Sequence, residues 1–139
     1  MTKAFNKGDE VTYISDWDRK GTTYFRHAVV YSCGKKQMVL TDAETGEDMG
    51  RHFRPERAEI GEAGTFTRMT DEEATAAALA LADHILARET ARFERCLQND
   101  TADEGHKNAI RRNIAALHEP RVSSYNALCA ALRDEVRAA

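Results

Sequence analysis

The sequence predicts an α+β fold: a small antiparallel β-barrel over residues 1–64, followed by a helical unit over residues 65–139. Three observations carry that reading. Short β-type runs before residue 64 are separated by single glycines in polar turns. A capped run from Thr70 to Gln98 then continues without Pro or Gly. Two shorter stripes of apolar residues at helical spacing follow it, divided by Pro120.

Taken in order, Gly8 marks an opening turn, after which Val11, Tyr13 and Ser15 alternate with Thr12 and Ile14 as in a strand. Asp16 to Gly21 is a polar loop that carries the sole tryptophan, Trp17. Thr22–Cys33 reads as a second strand or a bent pair, and Gly34-Lys35-Lys36 as the turn after it. Gln37–Ala43 is a third strand, and Glu44–Glu47 a hairpin tip in which Gly46 supplies positive φ. Asp48–Phe53 is a fourth strand, ended by Arg54-Pro55, and Glu56–Ile60 a short edge strand before the Gly61–Gly64 break.

The order G-D-E-V-x-Y-I, polar loop, A-V-V-Y, turn, M-V-L-T-D, T-G and a closing strand resembles the SH3-like barrels, including the KOW type, over about residues 7–60. That resemblance implies a small, strongly bent barrel. Such barrels bind peptides, nucleic acids, ribosomes or other subunits, so the fold leaves the function open.

In the second half, Thr70 and Glu73 form a capping box at the head of a helix over about 70–98, roughly 40 Å long at 1.5 Å per residue. Leu79, Ala82, Leu86, Phe93 and Leu97 define its expected apolar stripe, widened by Ala78, Ile85 and Cys96. A second helix over about 102–118 is expected from a Thr101/Glu104 capping box and from Ala109, Ile110, Ile114 and Leu117. A third, over about 123–137, would be capped by Ser123 or Ser124 and bury Tyr125, Leu128, Cys129, Leu132 and Val136. The long helix is expected to reach back over the barrel, in one shared core or two units. Its small residues Ala76, Ala77, Ala78 and Ala80 suit either an ordinary internal contact or the seam of a homodimer.

Composition narrows the function classes. The formal net charge of −3 points to no particular partner. The first ten residues have no apolar core of a signal peptide, and no run is long and apolar enough for a membrane span. Cys33, Cys96 and Cys129 are scattered, as in reduced thiols, so a cytoplasmic protein without a membrane partner is expected. His27, His52, His84, His106 and His118 show no metal-ligand spacing, and the glycines form no nucleotide fingerprint, so neither metal nor cofactor is expected. Catalysis ranks last and would rest on Cys33 with His27 or His52 nearby; no catalytic residue is assigned. The carboxylate pairs Asp16/Asp18 and Glu47/Asp48 sit in polar turns and read as solvated charge.

Two binding readings remain. The first is a non-catalytic module that docks on or inhibits a protein partner through Asp16, Trp17, Asp18, Arg19, Lys20, Tyr24 and Arg26. Trp, Tyr and Arg dominate binding hot spots, and loops on a rigid scaffold carry recognition. The alternative for Trp17 is a plug in the open end of the barrel. In size and texture the chain resembles accessory proteins of bacteriophages and mobile elements, including the anti-CRISPR inhibitors of host defence. The second reading is a nucleic-acid-associated regulator, adding Lys35, Lys36, Arg51 and Arg54 to the loop's basic and aromatic residues. On the long helix Arg88, Arg92 and Arg95 form a basic row flanked by Glu89 and Glu94, the pattern of a solvated, salt-bridged face.

Overall fold

A computed structural model describes residues 5–53, 64–99 and 101–138. The chain is mixed α+β. Strands β1 (Glu10–Asp16), β2 (Thr22–Cys33), β3 (Met38–Asp42), β4 (Asp48–Phe53) and β5 (Gly64–Thr67) form an antiparallel sheet in the order β4-β3-β2-β1-β5. Helix α1 (Asp71–Leu97), helix α2 (Glu104–Ala116), strand β6 (Arg121–Ser124) and helix α3 (Tyr125–Ala138) follow. The order is open, and no pairing of β4 with β5 occurs among the described residues. The edge strand expected over Glu56–Ile60 lies outside them.

Alternation along β1 and β2 divides the core in two. Val11, Ala28, Val30, Cys33, Met38 and Leu40 bury one face together with Phe5, Tyr13 and Met49. Ile14 and Phe25 point the other way, onto Ala74, Ala78, Leu81 and Ile85 of α1.

Helix α1 begins at the expected capping box: the Glu73 amide donates to Thr70 Oγ1 at 3.2 Å and the Thr70 amide to Glu73 Oε1 at 3.3 Å. Its buried side differs from the expected stripe. Ala74, Ala78, Leu81, Ala82, Ile85 and Glu89 are covered, whereas Leu79 is 43% exposed, Cys96 exposed, and Leu86, Phe93 and Leu97 only partly buried. The reason is packing distance. Alanines let the helix lie close enough for Thr23 Oγ1 to donate to the Ala78 carbonyl at 2.7 Å, and that contact sets the rotation of the helix.

Two further expectations are corrected. Helix α2 is capped by Asp103, whose carboxylate accepts the His106 amide at 2.7 Å; Thr101 turns back to Asn99 instead. A carboxylate at that position also meets the positive end of the helix dipole. Arg121–Ser124, expected at the start of the last helix, is strand β6, paired parallel with Thr22–Phe25 of β2. Strand β3 reaches only Ala28–Cys33 of β2, so the first residues of β2 keep an open backbone edge that β6 fills. Ser124 does cap α3, accepting the Ala127 amide at 3.2 Å.

Helix α3 departs most from expectation. Tyr125, Leu128 and Cys129 are partly covered, but Leu132 and Val136 stand 51% and 69% exposed. No described residue of α3 is fully buried. No helix among the described residues is long and apolar enough to cross a membrane.

Candidate functional site

The loop from Asp16 to Gly21 is held by many bonds for its length. The Trp17 amide donates to the Thr22 carbonyl at 2.8 Å, closing the β1–β2 turn. Asp18 Oδ1 accepts the Lys20 amide at 2.8 Å and the Thr22 amide at 3.1 Å. Burial works to raise the Asp18 pKa, but the Lys20 amide, His118 and Thr22 outweigh it and hold the carboxyl below its ordinary value. Arg19 takes a positive φ of 58°, which a non-glycine residue adopts only when its surroundings impose it.

The loop also rests on the connection between α2 and β6. The His118 amide donates to the Lys20 carbonyl at 3.0 Å, and the Arg121 amide to the Gly21 carbonyl at 2.9 Å. Gly21 is required by this approach: its φ is +128°, and a Cβ there would meet the His118 carbonyl oxygen at 2.8 Å. The His118 ring adds contacts from Nε2 to Asp18 Oδ2 at 3.1 Å and to Thr22 Oγ1 at 3.2 Å.

Beside the loop, Trp17, Tyr24 and Tyr125 form an aromatic triangle with ring centroids 6.0, 6.0 and 5.2 Å apart. The rings lean on one another, and their cation is internal: the Arg26 guanidinium lies 4.1 Å from the Tyr125 centroid. Arg26 is also paired through Nε with Asp42, and their side chains are 10% and 0% exposed. Asp42 accepts in addition the Glu44 and Thr45 amides and Asn126 of α3. Burial pushes the Tyr24 hydroxyl up to about 12. A hydrogen bond with Cys129, aided by burial, raises that of Tyr125. Tyr24 and Arg26 are thus taken up in joining α3 to the sheet. Trp17 leans inward on this cluster and still remains 39% exposed.

Between the loop and α3 lies an open groove of about 640 Å³. Val122, Leu128, Ala131 and Leu132 supply its apolar lining, Trp17 its edge, and Lys20, Arg121 and Glu135 its unpaired charges among the described residues. No family model, curated protein or solved structure matches this chain.

The remaining sequence candidates are dispersed. Asp16 ends β1, opposite Thr23 and half-buried. Lys35 and Lys36 are exposed on the β2–β3 turn; Lys36 borders a second groove, of about 790 Å³, which runs along the outside of β3 past Tyr31. Arg51 falls in β4 and Arg54 outside the described residues. Arg88 and Arg92 turn onto the buried Glu89, at 3.9 and 2.7 Å, and Arg95 is exposed in the last turn of α1. Among the described residues no group of three or more His, Cys, Asp or Glu is placed to hold a metal ion.

One constellation escaped sequence reasoning. Thr12 Oγ1 lies 2.9 Å from His27 Nδ1, and His27 Nε2 lies 2.7 Å from Asp71 Oδ1, the layout of a hydroxyl–imidazole–carboxylate relay. Thr12 is fully buried, however, and its oxygen already accepts the Met69 amide at 2.9 Å. That hydroxyl is closed to solvent, and the three side chains join β1, β2 and the head of α1. Residues 12, 27 and 71 share no local spacing that could have announced it.

Proposed function

We propose that this chain is a non-catalytic docking protein that holds a protein partner at the groove between the first loop and α3. The observation that carries the reading is the placement of Trp17: it stands 39% exposed on a loop fixed by Asp18 and His118, lining the same groove as Leu132 at 51%. A large aromatic on a preorganised loop loses little entropy when it is covered, which is what a hot spot requires. The same reading extends to inhibition, by occupying a surface the partner needs.

The nucleic-acid alternative draws less support, because Arg26 is paired internally and Arg88 and Arg92 face Glu89. The buried hydroxyl of Thr12 likewise gives an enzyme reading little support.

The test compares wild type with Trp17→Ala, by melting temperature and by affinity capture from the native host. The expected result is a folded variant whose melting temperature falls only by the loss of the ring contacts to Tyr24 and Tyr125, while the captured protein is lost, about 2 kcal/mol or more for a hot spot. Capture that persists in the folded variant overturns the reading. Salt-sensitive retention of nucleic acid instead would move the assignment to the alternative.

A further inference from the structure

Each ring nitrogen of His118 faces an oxygen that can accept a hydrogen bond. Nδ1 lies 2.9 Å from the Glu119 carbonyl oxygen, which can only accept. Nε2 lies 3.1 Å from Asp18 Oδ2, which as an ionised carboxylate also only accepts, and 3.2 Å from the Thr22 hydroxyl. A neutral imidazole has one N–H. It satisfies Glu119, accepts the Thr22 hydroxyl at Nε2 and gives up the bond to Asp18, or it satisfies Asp18 and faces the Glu119 carbonyl with a lone pair. Only the imidazolium donates to both.

We infer that His118 is a proton-operated latch on the loop that carries Trp17. Protonated, it ties the α2–β6 connection to Asp18 and fixes the loop; on losing its proton it gives up one of the two bonds and loosens the loop. The close seat of the connection on Gly21, where no Cβ fits, shows that the latch has two mated surfaces as well as a charge pair. The other charged groups lining the same groove are Lys20 on the loop, Arg121 on β6 and Glu135 on α3. Asp18 is the one acid bonded to the ring among the described residues. As regulation of partner docking, the inference rests on the reading above; the latch itself is a property of the isolated chain.

The test therefore uses the full chain with no partner present. Trp17 is the sole tryptophan, so its emission reports on the loop. Emission and the exchange of the Lys20 and Thr22 amides are followed between about pH 5.5 and about pH 8, the range in which imidazoles change charge, after correction for intrinsic exchange. Exchange should become roughly tenfold faster at the upper end, the effect of losing one charge-assisted hydrogen bond. His118→Gln should remove the pH dependence and leave the loop loose throughout, whereas His106→Gln, on the exposed side of α2, should retain it. A loop that does not respond while the His118 ring signal titrates overturns the latch, and that readout needs no variant to fold. A response that survives in folded His118→Gln overturns it as well.

Discussion

Helices α1 and α3 both carry amphipathic sequences, yet one lies flat on the sheet and the other is held mainly by its first turns. The buried side of α1 is largely alanine, with Leu81 and Ile85 filling the space between, so its backbone comes within hydrogen-bond reach of β2. The stripe of α3 is bulkier and more regular, but its attachment is polar and aromatic: Tyr125 on Trp17 and Tyr24, and Asn126 on Asp42 and Glu44. An apolar stripe says that a face gains by being covered. Side-chain size and the room left on the sheet decide which helix is covered by the chain itself.

The contrast breaks hardest at Asp42. Asp42→Ala would leave Arg26 nearly buried with only the exposed Glu47 carboxylate, 3.9 Å away, and a loss of about 3–5 kcal/mol is expected in urea unfolding. Because Asn126 leans on the same carboxylate, the amides of α3 should lose exchange protection in this variant before those of α1. Ile85→Ala, in contrast, should cost about 2–5 kcal/mol by opening a cavity under α1 while the anchor of α3 stays in place.

A smaller effect is expected from pH. Burial works to raise the pKa of Asp42, as it does that of Asp18, but their hydrogen bonds outweigh it, and in Asp42 the Arg26 charge adds to them. Both folded-state values therefore lie below the ordinary 3.8. A carboxylate lowered on folding contributes stability that is complete above its unfolded value and lost as the pH falls through its folded one. The contribution of these two carboxylates to the melting temperature should accordingly be complete down to about pH 5 and fall below about pH 4, less steeply in Asp42→Asn. A profile for Asp42→Asn identical to wild type would remove this carboxylate from the account. The smallest effect is expected at the free end of α3: Leu132→Ser should change stability by no more than about 0.5 kcal/mol, as at ordinary surface sites. A cost near that of Ile85→Ala would mean that α3 is as firmly seated as α1.

Much of the fold was legible because its signals are local. The Thr70/Glu73 box, the β1–β4 runs and the turns at Gly8 and Gly46 each lie within a few residues of sequence. What was hidden depends on partners distant in the chain. Arg121–Ser124 becomes a strand because Thr22–Phe25 offers an edge, and no window around Pro120 contains that edge. Thr101 and Asp103 are both competent caps for α2, and nothing in the local sequence favours Asp103, two residues on. For the candidate site, the sequence pointed to the loop and to Trp17. It did not point to His118 or Leu132, which reach the loop from nearly a hundred residues or more away. Nor did it foresee that Tyr24 and Arg26 would be engaged internally with Tyr125 and Asp42.

The ladder between β2 and β6 imposes an order on assembly. It sets Thr22 opposite Arg121, so a loop of about a hundred residues must close before the sheet gains its last strand. Contacts so far apart in the chain slow folding, and until they form the first four residues of β2 expose an unsatisfied strand edge. The slowest refolding phase is therefore expected to be the arrival of β6, with Trp17 emission as its natural reporter in stopped flow. If that emission reached its native value ahead of the far-ultraviolet signal of the sheet, the order would be reversed. A nascent chain carries that open edge from the synthesis of β2 until the strand that covers it has been made.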